Sequence, residues 1–161
     1  MPNDDWTGFV TEHVPRLRGF LRTLVRAEHV DDLVNEAFAR VLGARAAGKP
    51  IENLRAFLYG VTRNCVREHL RTALKQPDAD LDNVTALQLD PRPSSMLARE
   101  VERVKMLDAM RSLTLDHQMV LQLFYWEDLT SREIGLVLEI NENTARGRLT
   151  RARDALAARM D

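Results

Sequence analysis

The chain has 161 residues, 45% of them hydrophobic, and a formal net charge of −1, which leaves room for one domain or two small ones around a modest core. A near-neutral chain cannot hold DNA by bulk charge, so any nucleic-acid contact must be local or completed by a partner. No apolar run reaches the roughly 18 residues of a membrane span, the opening MPNDDWTGF lacks the basic-then-apolar order of a signal peptide, and Cys65 stands alone, which excludes a disulfide framework and argues against a cysteine metal site.

The cytoplasm is the expected compartment, and Cys65 is expected as a buried thiol. Periodicity is helical along the chain and no stretch alternates like a strand, so the expected fold is all-α. Helices are expected at about 5–26, 30–45 and 53–74. In the second of these Leu33, Val34, Ala37, Phe38 and Val41 share one face and leave Asp32, Asn35, Glu36 and Ala39 on the other. That acidic face is either solvated or a dock for a basic partner surface. In the third, Leu54, Leu58, Val61 and Cys65 point inward, while Arg63, Asn64, Arg67 and Arg71 cluster opposite. Three arginines and an amide suit a nucleic-acid backbone plus one base read through its edge, with Phe57 or Tyr59 close enough to support an unstacked base; a solvated basic face is the alternative.

Residues 75–95, KQPDADLDNVTALQLDPRPSS, carry Pro77, Pro91 and Pro93 with four Asp, and read as a flexible linker. The expected organisation is therefore a helical domain over 1–74, the linker, and a second helical domain over 96–161. Further helices are expected at about 96–112, 115–126, 131–138 and 142–160. The last two carry the strongest motif. Thr130 followed by Glu133 makes a capping box ahead of the apolar stripe Ile134, Val137 and Leu138. Asn141 then caps a helix that buries Ala145, Leu149, Ala152 and Leu156 and exposes Arg146, Thr150 and Arg153 on one flank, Thr144, Arg148 and Arg151 on the other. Two short helices, a tight turn and an arginine-covered second helix are the layout of a helix-turn-helix that enters the DNA major groove. Enzyme chemistry finds no such constellation: His13, His29, His69 and His117 are dispersed, no metal-ligand spacing or phosphate-binding glycine loop occurs, and adjacent Asp31 and Asp32 point in different helical directions. No catalytic residue, metal or cofactor is expected.

Three motifs in this order resemble the extracytoplasmic-function sigma factors, a group of the sigma-70 family and small two-domain initiation subunits of bacterial RNA polymerase. The family's D-[DE]-L-V-Q-E-x-F helix is similar to Asp31-Asp32-Leu33-Val34-Asn35-Glu36-Ala37-Phe38. Its W-L-Y-x-[IV]-A-x-N helix is similar to the run Phe57 to Asn64, continuing through Glu68 to Arg71. Its C-terminal E-I-A, L-G-I-S and T-V-[KR]-[SG]-R-L-x-R-A-R are similar to Glu133-Ile134-Gly135, Leu138-Glu139-Ile140-Asn141 and the run Thr144 to Arg153. The resemblance covers nearly the whole chain and implies sigma region 2 before the linker and sigma region 4 after it. It implies that Asp32, Asn35 and Glu36 dock on the clamp helices of the large polymerase subunit. Arg63, Asn64, Arg67 and Arg71 would hold the unwound minus-10 strand, Asn64 reading an extruded base. Asn143, Thr144, Arg146, Arg148 and Arg151 would read the minus-35 duplex, and Met119, Leu123 and their neighbours between Leu113 and Trp126 would meet the flap of the other large polymerase subunit. The implied partners are core polymerase, promoter DNA and an anti-sigma factor.

The chain departs from the family pattern at Asn35 for Gln, Phe57 for Trp, Thr114 for a helix-starting Pro, Glu139 for the turn Gly and Asn143 for a small residue. Glu139 is expected to cost roughly 1 kcal/mol or to force a different turn. The expected activity is promoter selection without bond chemistry. A stand-alone helix-turn-helix regulator is disfavoured by the net charge and the acidic helix, and a sigma mimic that only sequesters an anti-sigma factor is disfavoured by the intact arginines.

Overall fold

A computed structural model describes residues 5–76, 80–89 and 101–161. Its first unit is three helices: α1 (Trp6–Arg22), α2 (Ala27–Ala46) and α3 (Leu54–Leu74). Each starts where the sequence changes its hydrogen-bonding chemistry. The Asp5 carboxylate accepts from the Gly8 N–H at 3.0 Å, and the Asn53 side chain accepts from the Ala56 N–H at 2.9 Å, satisfying donors that the first turn leaves open. The five apolar residues expected to face inward on α2 are all buried. They close against Leu17, Phe20 and Leu21 of α1 and Leu58, Val66 and Leu70 of α3, with Trp6 and Phe9, stacked on each other, each edge to face with Phe38 at one end. Cys65 lies in this core, where burial pushes its thiol up to about 11 and makes it unreactive.

Pro77, Pro91, Pro93 and residues 96–100 of the expected fourth helix lie outside the described residues. Between them, residues 80–89 carry local structure within the expected linker. A 3-10 turn (Leu81–Asn83) leads to α4 (Ala86–Leu89), and the Leu115 N–H donates to the Val84 carbonyl at 2.9 Å. Leu81, Val84 and Ala86 are buried, and these few apolar residues dock although acidic neighbours dominate the segment.

The second unit holds α5 (Val101–Arg111), α6 (Leu115–Tyr125), α7 (Ser131–Leu138) and α8 (Glu142–Met160). Thr130 and Glu133 exchange both capping-box bonds, at 3.1 and 3.0 Å. Asn141 caps α8 by accepting from the Thr144 N–H at 2.8 Å. Ala145, Leu149 and Ala152 are buried as expected, whereas Leu156 is half-buried because it lies near the free end of α8. In the turn between α7 and α8, Glu139 takes the left-handed conformation at φ 60°, ψ 43°. The Ile140 N–H then reaches the Gly135 carbonyl at 2.9 Å, and a Cβ at Gly135 would lie 2.7 Å from the Ile140 carbonyl oxygen. The tight turn thus requires glycine at 135 and strains the residue at 139.

The two units pack against each other along α3 and α7, with Gly60 facing the Val137 backbone. Two substitutions test the turn. Glu139→Gly should raise stability by up to about 1 kcal/mol, the left-handed penalty less the entropy that glycine adds to the unfolded chain. Gly135→Ala should lower it by about 1–3 kcal/mol through overpacking. Urea midpoints at unchanged slope measure both.

Candidate nucleic-acid interface

On α2 the side chains of Asp32, Asn35 and Glu36 are all exposed. Their neighbours hold the face in place. Arg40 Nε donates to Glu36 at 2.8 Å while its Nη2 reaches Glu68 of α3 at 2.7 Å, and Arg18 of α1 donates to Asp31 at 2.8 Å.

The basic cluster of α3 is less uniform than its spacing suggests. Asn64 is exposed, Arg67 and Arg71 are partly buried, and Arg67 lies 3.9 Å from Asp82. Only 13% of the Arg63 side chain is exposed. Tyr59 corrects the idea of a base-stacking aromatic: it is 1% exposed, and its hydroxyl donates to Glu127 at 2.6 Å. Burial and that carboxylate push the Tyr59 hydroxyl well above its ordinary range. Phe57 is half-buried beneath the Lys49 ammonium, 5.0 Å away.

On α8, Asn143, Thr144, Arg146 and Arg151 are exposed, and Arg146 is steadied by Glu142 at 2.8 Å. Arg153 turns back instead, donating to the Tyr125 hydroxyl at 2.7 Å and lying over the Phe124 ring. Of the residues expected at the flap, Met119 and Leu123 are corrected: both are in the core and cannot make that contact themselves. Half-exposed Tyr125 and Trp126 form the accessible end of that helix.

Across the gap between units, Arg63 of α3 and Arg148 of α8 converge on one carboxylate. Arg63 donates from Nε and Nη2 to the two oxygens of Asp116 at 3.1 and 3.2 Å, and Arg148 Nη1 lies 3.6 Å from the same group. The seam continues in polar contacts. Glu127 receives Tyr59 and, at 3.4 Å, Arg16. Glu133 receives Asn53 at 2.9 Å and Arg55 at 3.2 Å, and Gln118 and Gln122 donate to Thr23 at 3.1 and 2.6 Å. Sequence reasoning missed these residues. The one available signal was a pair of glutamines four apart inside an otherwise apolar run, which places polar groups on a buried face.

Two family matches span most of the chain: Sigma-70 region 2 over residues 9–75 and Sigma-70 region 4 over residues 103–156. The chain belongs to the sigma-70 family, in its extracytoplasmic-function group. It is 29% identical over 127 residues to the probable RNA polymerase sigma factor RfaY of Xanthomonas campestris, covering 76% of this chain but 32% of that one, so it spans about a third of that relative's length. It is 29% identical to the sigma factor EcfG of Rhodopseudomonas palustris, covering 90% of this chain and 79% of that one. Its fold is similar to that of the sigma factor RpoE of Bartonella quintana, solved in complex with the anti-sigma factor NepR, with a TM-score of 0.68 at 19% identity over 97% of this chain and 96% of that one. Among the described residues, no helix of this sigma factor is long and apolar enough to cross a membrane, and no cluster of ligating side chains suits a metal ion.

Two imidazoles give the sigma factor a pH signature. Burial holds His117 below its ordinary value near 6.5, and Arg151 adds to the effect. Burial and neighbouring His29 do the same to His69. Both bind protons less readily folded than unfolded, so stability falls as pH drops below about 6.5 and levels off beneath the depressed folded values. Glu133 acts lower. Burial raises its carboxyl, but the Thr130 N–H, Asn53 and Arg55 outweigh burial and hold it below its ordinary 4.5, so its contribution is present above that value and lost as pH falls through the folded one. Thermal midpoints should therefore decline from about pH 7 to 5 and again below about 4.5, and His69→Gln with His117→Gln should flatten the first decline alone.

Proposed function

We propose that this protein, an alternative RNA polymerase sigma factor, works in the cytoplasm without bond chemistry of its own, joins core polymerase through Asp32, Asn35 and Glu36, and directs initiation at promoters with minus-10 and minus-35 elements. The supporting observation is the division of exposed chemistry between two folded units: an acidic face and an exposed Asn64 on the first, and a capped helix presenting Asn143, Thr144, Arg146 and Arg151 on the second. Asn64, with Arg63, Arg67 and Arg71, holds the unwound minus-10 strand. The helix α8, including Arg148, reads the minus-35 duplex in the major groove. An anti-sigma factor controls the protein by covering its polymerase-facing surfaces.

In vitro transcription with purified core polymerase and genomic fragments tests the reading. Promoter-dependent initiation is expected, and its absence on every fragment would falsify it. Asn64→Ala should lower discrimination at the minus-10 element by roughly tenfold or more, and Arg151→Ala should weaken dependence on the minus-35 element by a similar factor, since one well-made base contact carries about 1–3 kcal/mol. Equal losses on all templates would contradict the division of labour. Asp32→Ala should weaken core polymerase binding while leaving the fold intact.

A further inference from the structure

Asp116 sits near the start of α6, in the second unit, with its side chain 14% exposed. Its two oxygens take both donors of the Arg63 fork, and the Arg148 guanidinium approaches from the other side. A carboxylate held by a guanidinium fork offers the same planar pair of acceptor oxygens as a phosphate. Arg63 and Arg148 belong to the two helices assigned to the two promoter elements, 85 positions apart in the sequence. Arg63 cannot give its fork to a phosphate while Asp116 holds it, whereas Arg148, 3.6 Å away and on the same unit as Asp116, makes only an ion pair through one nitrogen. Many of the remaining contacts across the seam are polar, and polar groups exchange readily for water or another partner when two units separate.

We propose that Asp116 is an internal clasp, a carboxylate that stands in for nucleic acid by occupying Arg63 in the free protein and is withdrawn from it when the units part, while it stays beside Arg148 of its own unit. The inference rests on the minus-10 role proposed for Arg63. Its consequence is that the free chain has a lower affinity for single-stranded DNA than its exposed groups alone would give. Apparent affinity falls by the fraction of molecules in which Arg63 is available.

Two variants open the clasp by different physics. Asp116→Asn keeps the shape but removes the charge. Gly60→Leu changes no charge: Gly60 faces the Val137 backbone, where a Cβ already reaches 3.5 Å, so a larger side chain wedges α3 from α7 while favouring the helix it sits on. Ala39→Cys and Ala157→Cys, both exposed, carry a fluorophore pair that reports the distance between units, and buried Cys65 stays unlabelled. Anisotropy with mixed-sequence single-stranded and duplex oligonucleotides measures DNA binding without polymerase.

Both variants are expected to lengthen the separation at unchanged helix content and to tighten single-strand binding by about tenfold. The wild-type separation should also grow with salt. An unchanged separation in both variants overturns the clasp. Tighter binding by Asp116→Asn alone, with Gly60→Leu open but no tighter, overturns the masking of DNA-binding groups, because charge removal by itself then accounts for the gain. Failure of the proposed function is read separately, in promoter-dependent transcription by the wild-type chain, which no distance measurement enters.

Discussion

The fold depends on one carboxylate that serves two units. Glu133 closes the capping box of α7 and also accepts from Asn53 and Arg55, and Asn53 is itself the cap of α3. The first turns of the two helices are therefore fixed to each other through their capping side chains. A cap alone contributes about 1 kcal/mol, and a hydrogen bond to a charged group about 1.5–3 kcal/mol, so this junction outweighs any single exposed ion pair in the chain. Once the two starts are joined, the rest of the contact follows from helix geometry. Gly60 comes to lie against Val137, and Arg63, three residues further along α3, comes opposite Asp116.

The seam is more polar than the core of either unit. One buried apolar cluster runs through both units, and separating its members would expose apolar surface to water. Between the units lie a tyrosine hydroxyl, two glutamines, three arginines and three carboxylates, each of which water or another macromolecule can satisfy. A protein that must set its two DNA-reading units at a distance fixed by polymerase and promoter needs an interface of this second kind. An apolar seam of the same extent would resist opening.

What the sequence disclosed divides along the range of the interactions. The buried face of α2, the capping box at Thr130 and Glu133, and the cap at Asn141 depend on residues three or four apart, and a helical repeat makes them readable in one dimension. Even the strain at Glu139 was foreseeable, because the turn's geometry is local. The clasp and the seam are not local. Asp116 is 53 positions from Arg63, and Glu127 is 68 from Tyr59, so no periodicity links them. Met119 and Leu123 were misplaced for a related reason: a short apolar helix looks the same whether one side or every side is covered, and only the neighbours decide. The turn around Leu81 escaped notice because composition averages over a segment, whereas docking needs only two or three well-placed apolar side chains.

The same distinction resolves the near-neutral charge. A net charge of −1 argues against DNA binding if positive and negative groups are spread evenly over the surface. Here several acids are spent on particular arginines: Asp116 on Arg63 and Arg148, Glu133 on Arg55, Glu142 on Arg146. Where both members of a pair sit on one helix, as with Arg146, the pairing persists whatever the two units do. Where they lie across the seam, as with Arg63, separation removes the acid from the arginine and leaves the surface of that unit more basic, with no change in the sum. Net charge therefore sets a limit on non-specific affinity only for the closed chain. The quantity that governs DNA contact is the charge on each unit's own face once the seam has opened.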